Sequence, residues 1–112
     1  KHQHPIHEHV TIDNKGIYLQ TVTGADARAI YEGEVTWCAP MNGNYAVIVQ
    51  HGNYRSVYSP LKKIYVKQGD KLTAKQAIGE IYTNTSEDNK TELYFQIYKD
   101  RSILNPGLWL AQ

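Results

Sequence analysis

Hydrophobic and polar positions along this chain alternate in short runs with a period of two. From Ile17 to Thr21 the residues Ile17, Leu19 and Thr21 share one face and Tyr18 and Gln20 the other. Leu93, Phe95 and Ile97 alternate in the same way against Glu92, Tyr94, Gln96 and Tyr98. Tyr54 to Tyr58 alternates again after the turn His51-Gly52-Asn53, and shorter strands are expected at Ala27 to Tyr31 and, after Gly33, at Glu34 to Cys38. Tyr45 to Val49 is apolar on both faces, the mark of a central strand. Helical periodicity is nearly absent. Many short strands punctuated by Gly, Asn and Pro predict an all-β domain, a compact antiparallel sandwich or barrel-like fold.

The chain has 112 residues, enough for one core, and the periodic region divides it into an N-terminal segment (1–15), partly extended, and a single domain (16–112). A hydrophobic fraction of 41% is ordinary for a globular domain. Twelve basic residues stand against 11 acidic ones, a net charge of +1, so no field pulls the domain toward nucleic acid. No apolar run reaches the roughly 20 residues of a membrane helix, and direct membrane insertion is not expected. The start at Lys1 suggests a processed product or an excised domain.

Five histidines raise the question of a metal, and four of them (His2, His4, His7 and His9) crowd the first nine residues. They precede the periodic region, at a chain end, and are read as no physiological site. His51 begins a turn and is read as a turn or packing residue. Cys38 is the single cysteine, which excludes an intramolecular disulfide. Thr83 to Lys90 is uniformly polar and reads as an exposed hairpin loop at a rim, while Asn105-Pro106 marks a turn before the amphipathic ending Leu108-Trp109-Leu110. The stretch Val66 to Ile81 holds a Gly69-Asp70 turn and two apolar segments expected to pair across Thr73 to Gln76.

That last pattern, V-x-x-G-D-x-L followed by Q-x-I-G-x-I, resembles a hairpin of biotinyl/lipoyl-like domains, of membrane-fusion adaptor proteins and of lysostaphin/LytM-type metallopeptidases. Three further pieces, AIYEGEV (Ala29 to Val35), YAVIVQHGNYRSVYSPL (Tyr45 to Leu61) and LYFQIYKDRSILNPGLWL (Leu93 to Leu110), make the span from Gly16 to Leu110 resemble a LytM-type domain. Active members of that family are zinc endopeptidases of bacterial cell-wall cross-links, with H-x-x-x-D, Y-x-H-L and H-x-H-F motifs. Aligned on Gly16, this chain has Asn14 and Tyr18 in the first motif, Pro60 in the second and Glu92 and Tyr94 in the third. All five positions are substituted. Glu92 and Tyr94 also lie opposite Leu93 and Phe95, and Tyr18 opposite Ile17, so the periodicity alone points these positions away from the core.

The pattern most resembles the degenerate LytM domains of EnvC-like murein hydrolase activators. The resemblance implies a non-enzymatic domain with no zinc or other cofactor, located in the periplasm or cell envelope. It implies a domain that binds and activates a periplasmic N-acetylmuramoyl-L-alanine amidase as septal peptidoglycan is split in cell division. The alternatives are a peptidoglycan-binding module without an activator role and an active zinc endopeptidase. The former active-site groove supplies the candidate binding residues Asn14, Tyr18, Arg55, Tyr58, Pro60, Glu92 and Tyr94.

Overall fold

The computed structural model describes residues 9–12, 16–99 and 102–104, so His2, His4, His7, Asn14 and the ending Leu108-Trp109-Leu110 lie outside the described residues. The strands are β1 (His9–Ile12), β2 (Ile17–Thr21), β3 (Asp26–Arg28), β4 (Gly33–Met41), β5 (Asn44–His51) and β6 (Tyr54–Ile64). They continue with β7 (Lys71–Leu72), β8 (Ala77–Ile81), β9 (Thr83–Asn84), β10 (Lys90–Lys99) and β11 (Ser102–Leu104), with a 3-10 turn at Thr85–Glu87.

All pairings are antiparallel, in the order β1-β2-β10-β6-β5-β4-β7. β6 belongs to two arms. Its first part, through Ser59, pairs with β10, and Leu61 to Ile64 pair with β8, which in turn carries β3. The small β8-β3 arm folds over the inner face of the larger sheet. Val35, Val47, Val49, Tyr58, Leu61, Ile78, Ile81, Leu93, Phe95 and Ile97 are buried there in one cluster. Each large aliphatic side chain removed from water contributes about 1.5–3 kcal/mol, and the layered, sandwich-like arrangement follows from the need to cover this face.

The alternation read from the sequence holds in β2 and β10, where Ile17, Leu93, Phe95 and Ile97 are buried and Tyr18, Glu92, Tyr94 and Gln96 are half-buried. Two expectations need correction. Ala29 to Tyr31 is not strand, because Ala29 leaves the sheet to exchange backbone hydrogen bonds with Gln76 and Lys75. The two apolar segments on either side of the Thr73 to Gln76 connection do not pair with each other: β7 pairs with β4, and β8 with β3 and β6. The turn itself is as expected, with Gly69 at φ 94°. The Asp70 carboxylate accepts the Lys67 N–H at 2.9 Å, a hydrogen bond that holds its pKa below the usual range. The Val35 and Gly69 amides bond across to Asp70 and Val35, which ties the turn to β4 and leaves its two flanks to separate neighbours.

Candidate functional site

The outer face of the sheet carries a cleft of about 180 Å³ lined by Tyr18, Pro60, Tyr82, Asn84, Glu87, Lys90, Glu92 and Tyr94. Its geometry begins at Gly16. A Cβ there would lie 2.6 Å from the Phe95 carbonyl oxygen and 2.9 Å from a ring carbon of Tyr94, so only glycine lets β2 start hard against β10. That contact sets the register, Tyr18 opposite Tyr94 and Gln20 opposite Glu92. The two tyrosine rings stack with centroids 4.5 Å apart and planes 28° from parallel, a pairing that adds about 0.5–1.5 kcal/mol beyond its burial.

One wall is the 83–90 hairpin. β9 pairs with the start of β10, and the Asn84 side chain caps the 3-10 turn by accepting the Ser86 N–H at 3.0 Å. The Asn84 amide also donates to Glu87 Oε1 at 3.3 Å. Asp88 and Asn89, both in the left-handed region at φ 60° and 58°, close the loop, and Lys90 reaches to 3.8 Å from Glu92 Oε1. The segment read as a polar rim is thus built in as a wall that leaves the cleft open.

The structure therefore brings together Tyr18, Pro60, Glu92 and Tyr94, four of the seven sequence candidates, and places the other described two elsewhere. Arg55 is exposed on the same face, but it sits opposite Tyr98 while the cleft sits at Tyr94, four residues or roughly 14 Å along β10. There it lines a separate shallow depression with Thr36, Trp37, Ile48 and Gln50. Tyr58 is a correction. It is 1% exposed on the inner face, its ring 5.3 Å from that of Phe95. The cause is a register shift: Val47 pairs with Tyr58 and Tyr45 with Leu61, so β6 carries an extra residue and both Tyr58 and Leu61 face inward while Pro60 faces the cleft. Asn14 lies outside the described residues. Sequence reasoning missed Tyr82, and it missed Asn84, Glu87 and Lys90, whose polarity signalled a loop and gave no sign of which side it would wall.

Behind the outer face runs a hydrogen-bonded chain. His51 Nδ1 lies 2.8 Å from the Glu32 carbonyl oxygen, which only accepts, so Nδ1 carries the proton. Nε2 lies 2.7 Å from Ser56 Oγ, and the fully buried Ser56 hydroxyl donates to Tyr58 Oη at 2.8 Å. The Tyr58 oxygen accepts the Ile30 N–H at 3.2 Å. Burial lowers the His51 pKa below the ordinary imidazole value, partly offset by the bond to Glu32. The buried site therefore favours the neutral imidazole over the charged one. Because the folded pKa is depressed, this contribution is whole above about pH 6.5 and is lost as the pH falls from there through the folded value. Urea unfolding of the wild type should therefore show falling stability between pH 7.5 and 5.5, with a shallower fall for His51→Gln; equal slopes would refute the assignment.

The zinc chemistry of the resemblance does not fit the described cleft. At the four aligned positions on view the donors are one carboxylate and two phenols, and Pro60 has no ligating side-chain atom, whereas zinc sites are built from imidazole, thiolate and carboxylate. Among the described residues no three His, Cys, Asp or Glu side chains gather closely enough to hold a metal ion.

With the fold and cleft in place, the chain belongs to peptidase family M23, whose model matches residues 13–106. It is 37% identical over 99 residues to stage II sporulation protein Q of Bacillus subtilis (strain 168), covering 83% of this chain and 35% of that protein. To murein hydrolase activator EnvC of Escherichia coli (strain K12) it is 27% identical over 100 residues, covering 88% of this chain and 24% of that protein. Among solved structures, the SpoIIQ–SpoIIIAH pore-forming complex matches with a TM-score of 0.74 at 33% identity, covering 88% of this chain and 69% of that one. The solution structure of lysostaphin matches with a TM-score of 0.75 at 25% identity, covering 86% of this chain and 42% of that one. The chain spans 16–35% of the length of the curated relatives it matches over most of its own residues.

Proposed function

We propose that this chain is a non-catalytic LytM domain of the cell envelope that acts by binding another protein through its former active-site face. The observation that carries this reading is the composition of the cleft. Where the family alignment asks for a carboxylate ligand and three histidines, the chain sets a stacked tyrosine pair, a proline and a glutamate around one cavity. Aromatic rings with polar tips are favoured in protein interfaces, and a proline wall offers apolar contact with no ionisable group.

The partner class is a periplasmic cell-wall amidase, switched on during septal peptidoglycan splitting; likeness to a murein hydrolase activator supports it. A second reading has its own support. Identity to the sporulation protein is higher, and the matching solved structure is a complex of that protein with SpoIIIAH, which favours stable assembly with a second envelope protein over enzyme activation.

Both readings are tested with the purified chain. Incubation with the amidases of its own source should stimulate release of soluble peptidoglycan fragments. Tyr18→Ala and Tyr94→Ala should each weaken partner binding by about 30-fold, the loss of roughly 2 kcal/mol typical of a central aromatic anchor. A tight complex without amidase stimulation moves the assignment to assembly. Sedimentation with purified sacculi in the absence of any protein partner would replace both with a peptidoglycan-binding module.

A further inference from the structure

We infer that the cleft on the outer face receives the cationic end of a lysine or arginine side chain carried by the protein partner. This rests on the reading of that face as a partner site and names what the partner must present. Two carboxylates, Glu87 and Glu92, line the cleft against one resident cation, Lys90. The Lys90–Glu92 contact is loose: at 3.8 Å it is an ion pair beyond hydrogen-bond distance. The Glu92 side chain is 28% exposed and that of Lys90 40%, so a second donor can reach the carboxylate from the open side.

The remaining lining suits the same ligand. Tyr18, Tyr82 and Tyr94 bring rings whose negative faces attract an ammonium or guanidinium group, and Pro60 gives the methylene stem an apolar wall. Size narrows the choice further. The volume, about 180 Å³, is below the roughly 300–1,000 Å³ of sites that enclose whole small molecules, and it suits one long side chain entering from an otherwise external backbone. An acidic side chain would meet two carboxylates in a half-desolvated space, and a neutral apolar one would leave both without a new partner.

The test uses the full 112-residue chain, labelled with nitrogen-15, and the capped tripeptides Gly-Lys-Gly, Gly-Arg-Gly, Gly-norleucine-Gly and Gly-Glu-Gly. The lysine and arginine peptides should give saturable shifts at the backbone amides of Tyr18, Glu92 and Tyr94, and the norleucine and glutamate peptides none. The E87Q/E92Q double variant, whose changes lie on half-exposed and exposed side chains, should weaken binding at least tenfold with an unchanged melting temperature. Equal shifts from norleucine, no shifts at tens of millimolar, or shifts confined to other residues would overturn the inference. So would tighter binding by soluble muropeptides than by the lysine peptide with the same dependence on Glu87 and Glu92, which would transfer the cleft to the cell wall. If a protein partner binds with full dependence on Tyr18 and none on the two glutamates, the cation inference falls alone; if binding ignores Tyr18 as well, the partner-site reading falls with it.

Discussion

Replacing Tyr58 with alanine should lower the unfolding free energy by about 3–5 kcal/mol, and replacing it with phenylalanine by about 1–3 kcal/mol. The first figure is the cost of emptying a fully buried aromatic site that packs on Phe95. The second isolates the hydroxyl. Phenylalanine keeps the ring volume but leaves the Ile30 N–H without the acceptor it reaches at 3.2 Å and the buried Ser56 hydroxyl without the one it reaches at 2.8 Å. Urea denaturation of both variants measures the pair. Because Tyr58 lies on the inner face, Tyr58→Phe should leave partner affinity unchanged while Tyr18→Ala reduces it; a large affinity loss in a stably folded Tyr58→Phe would put this tyrosine back in the binding face.

Gly79→Ala should cost about 3 kcal/mol, the upper end of what overpacking usually does. An added Cβ would sit 2.4 Å from the Lys63 carbonyl oxygen and 3.1 Å from the Ile64 Cα. Both obstacles are backbone, and β8 is held on one side by β3 and on the other by β6, so neither can swing aside as a flexible side chain would. A thermal melt of the variant reads the loss, expected as a fall of several degrees. A variant as stable as the wild type would mean that the β6-β8 seam is looser than this geometry.

These residues also mark how far the sequence could be read. Alternation located β2 and β10 and the direction of Tyr18, Glu92 and Tyr94, because both strands are half-buried and one buried face specifies the pattern. It fell short in β4 and β6, which run on to Met41 and Ile64. Ala39-Pro40-Met41 and Ser59-Pro60 offer no alternation, and a proline inside a run argues against a central strand. The misplacement of Tyr58 has the same source. Strict period-two counting puts Tyr58 and Pro60 on one face, and the extra residue in β6 that separates them shows only once Tyr45 and Val47 are seen to pair with Leu61 and Tyr58. The motif positions themselves converged, with Tyr18 and Tyr94 from adjacent strands and Pro60 from the next, since a shared fold aligns backbones whatever side chains they carry. The hairpin that walls the cleft was legible as a loop and not as a wall, because polarity reports exposure to water and not which neighbours a turn will face.

The two-sided construction of β6 and β10 has a consequence for how such a domain changes over time. Along β10, Leu93, Phe95 and Ile97 are committed to the core, while Glu92 and Tyr94 face the cleft, where they meet Lys90 and Tyr18. Substitution on the outward set exchanges one surface chemistry for another at the cost of contacts such as the Tyr18–Tyr94 stack, about 0.5–1.5 kcal/mol, and the inward set stays fixed whichever chemistry is displayed. A lineage can therefore abandon hydrolysis and take up recognition without first rebuilding its interior, and a designer can rewrite the same outward positions for a new partner on an unchanged frame.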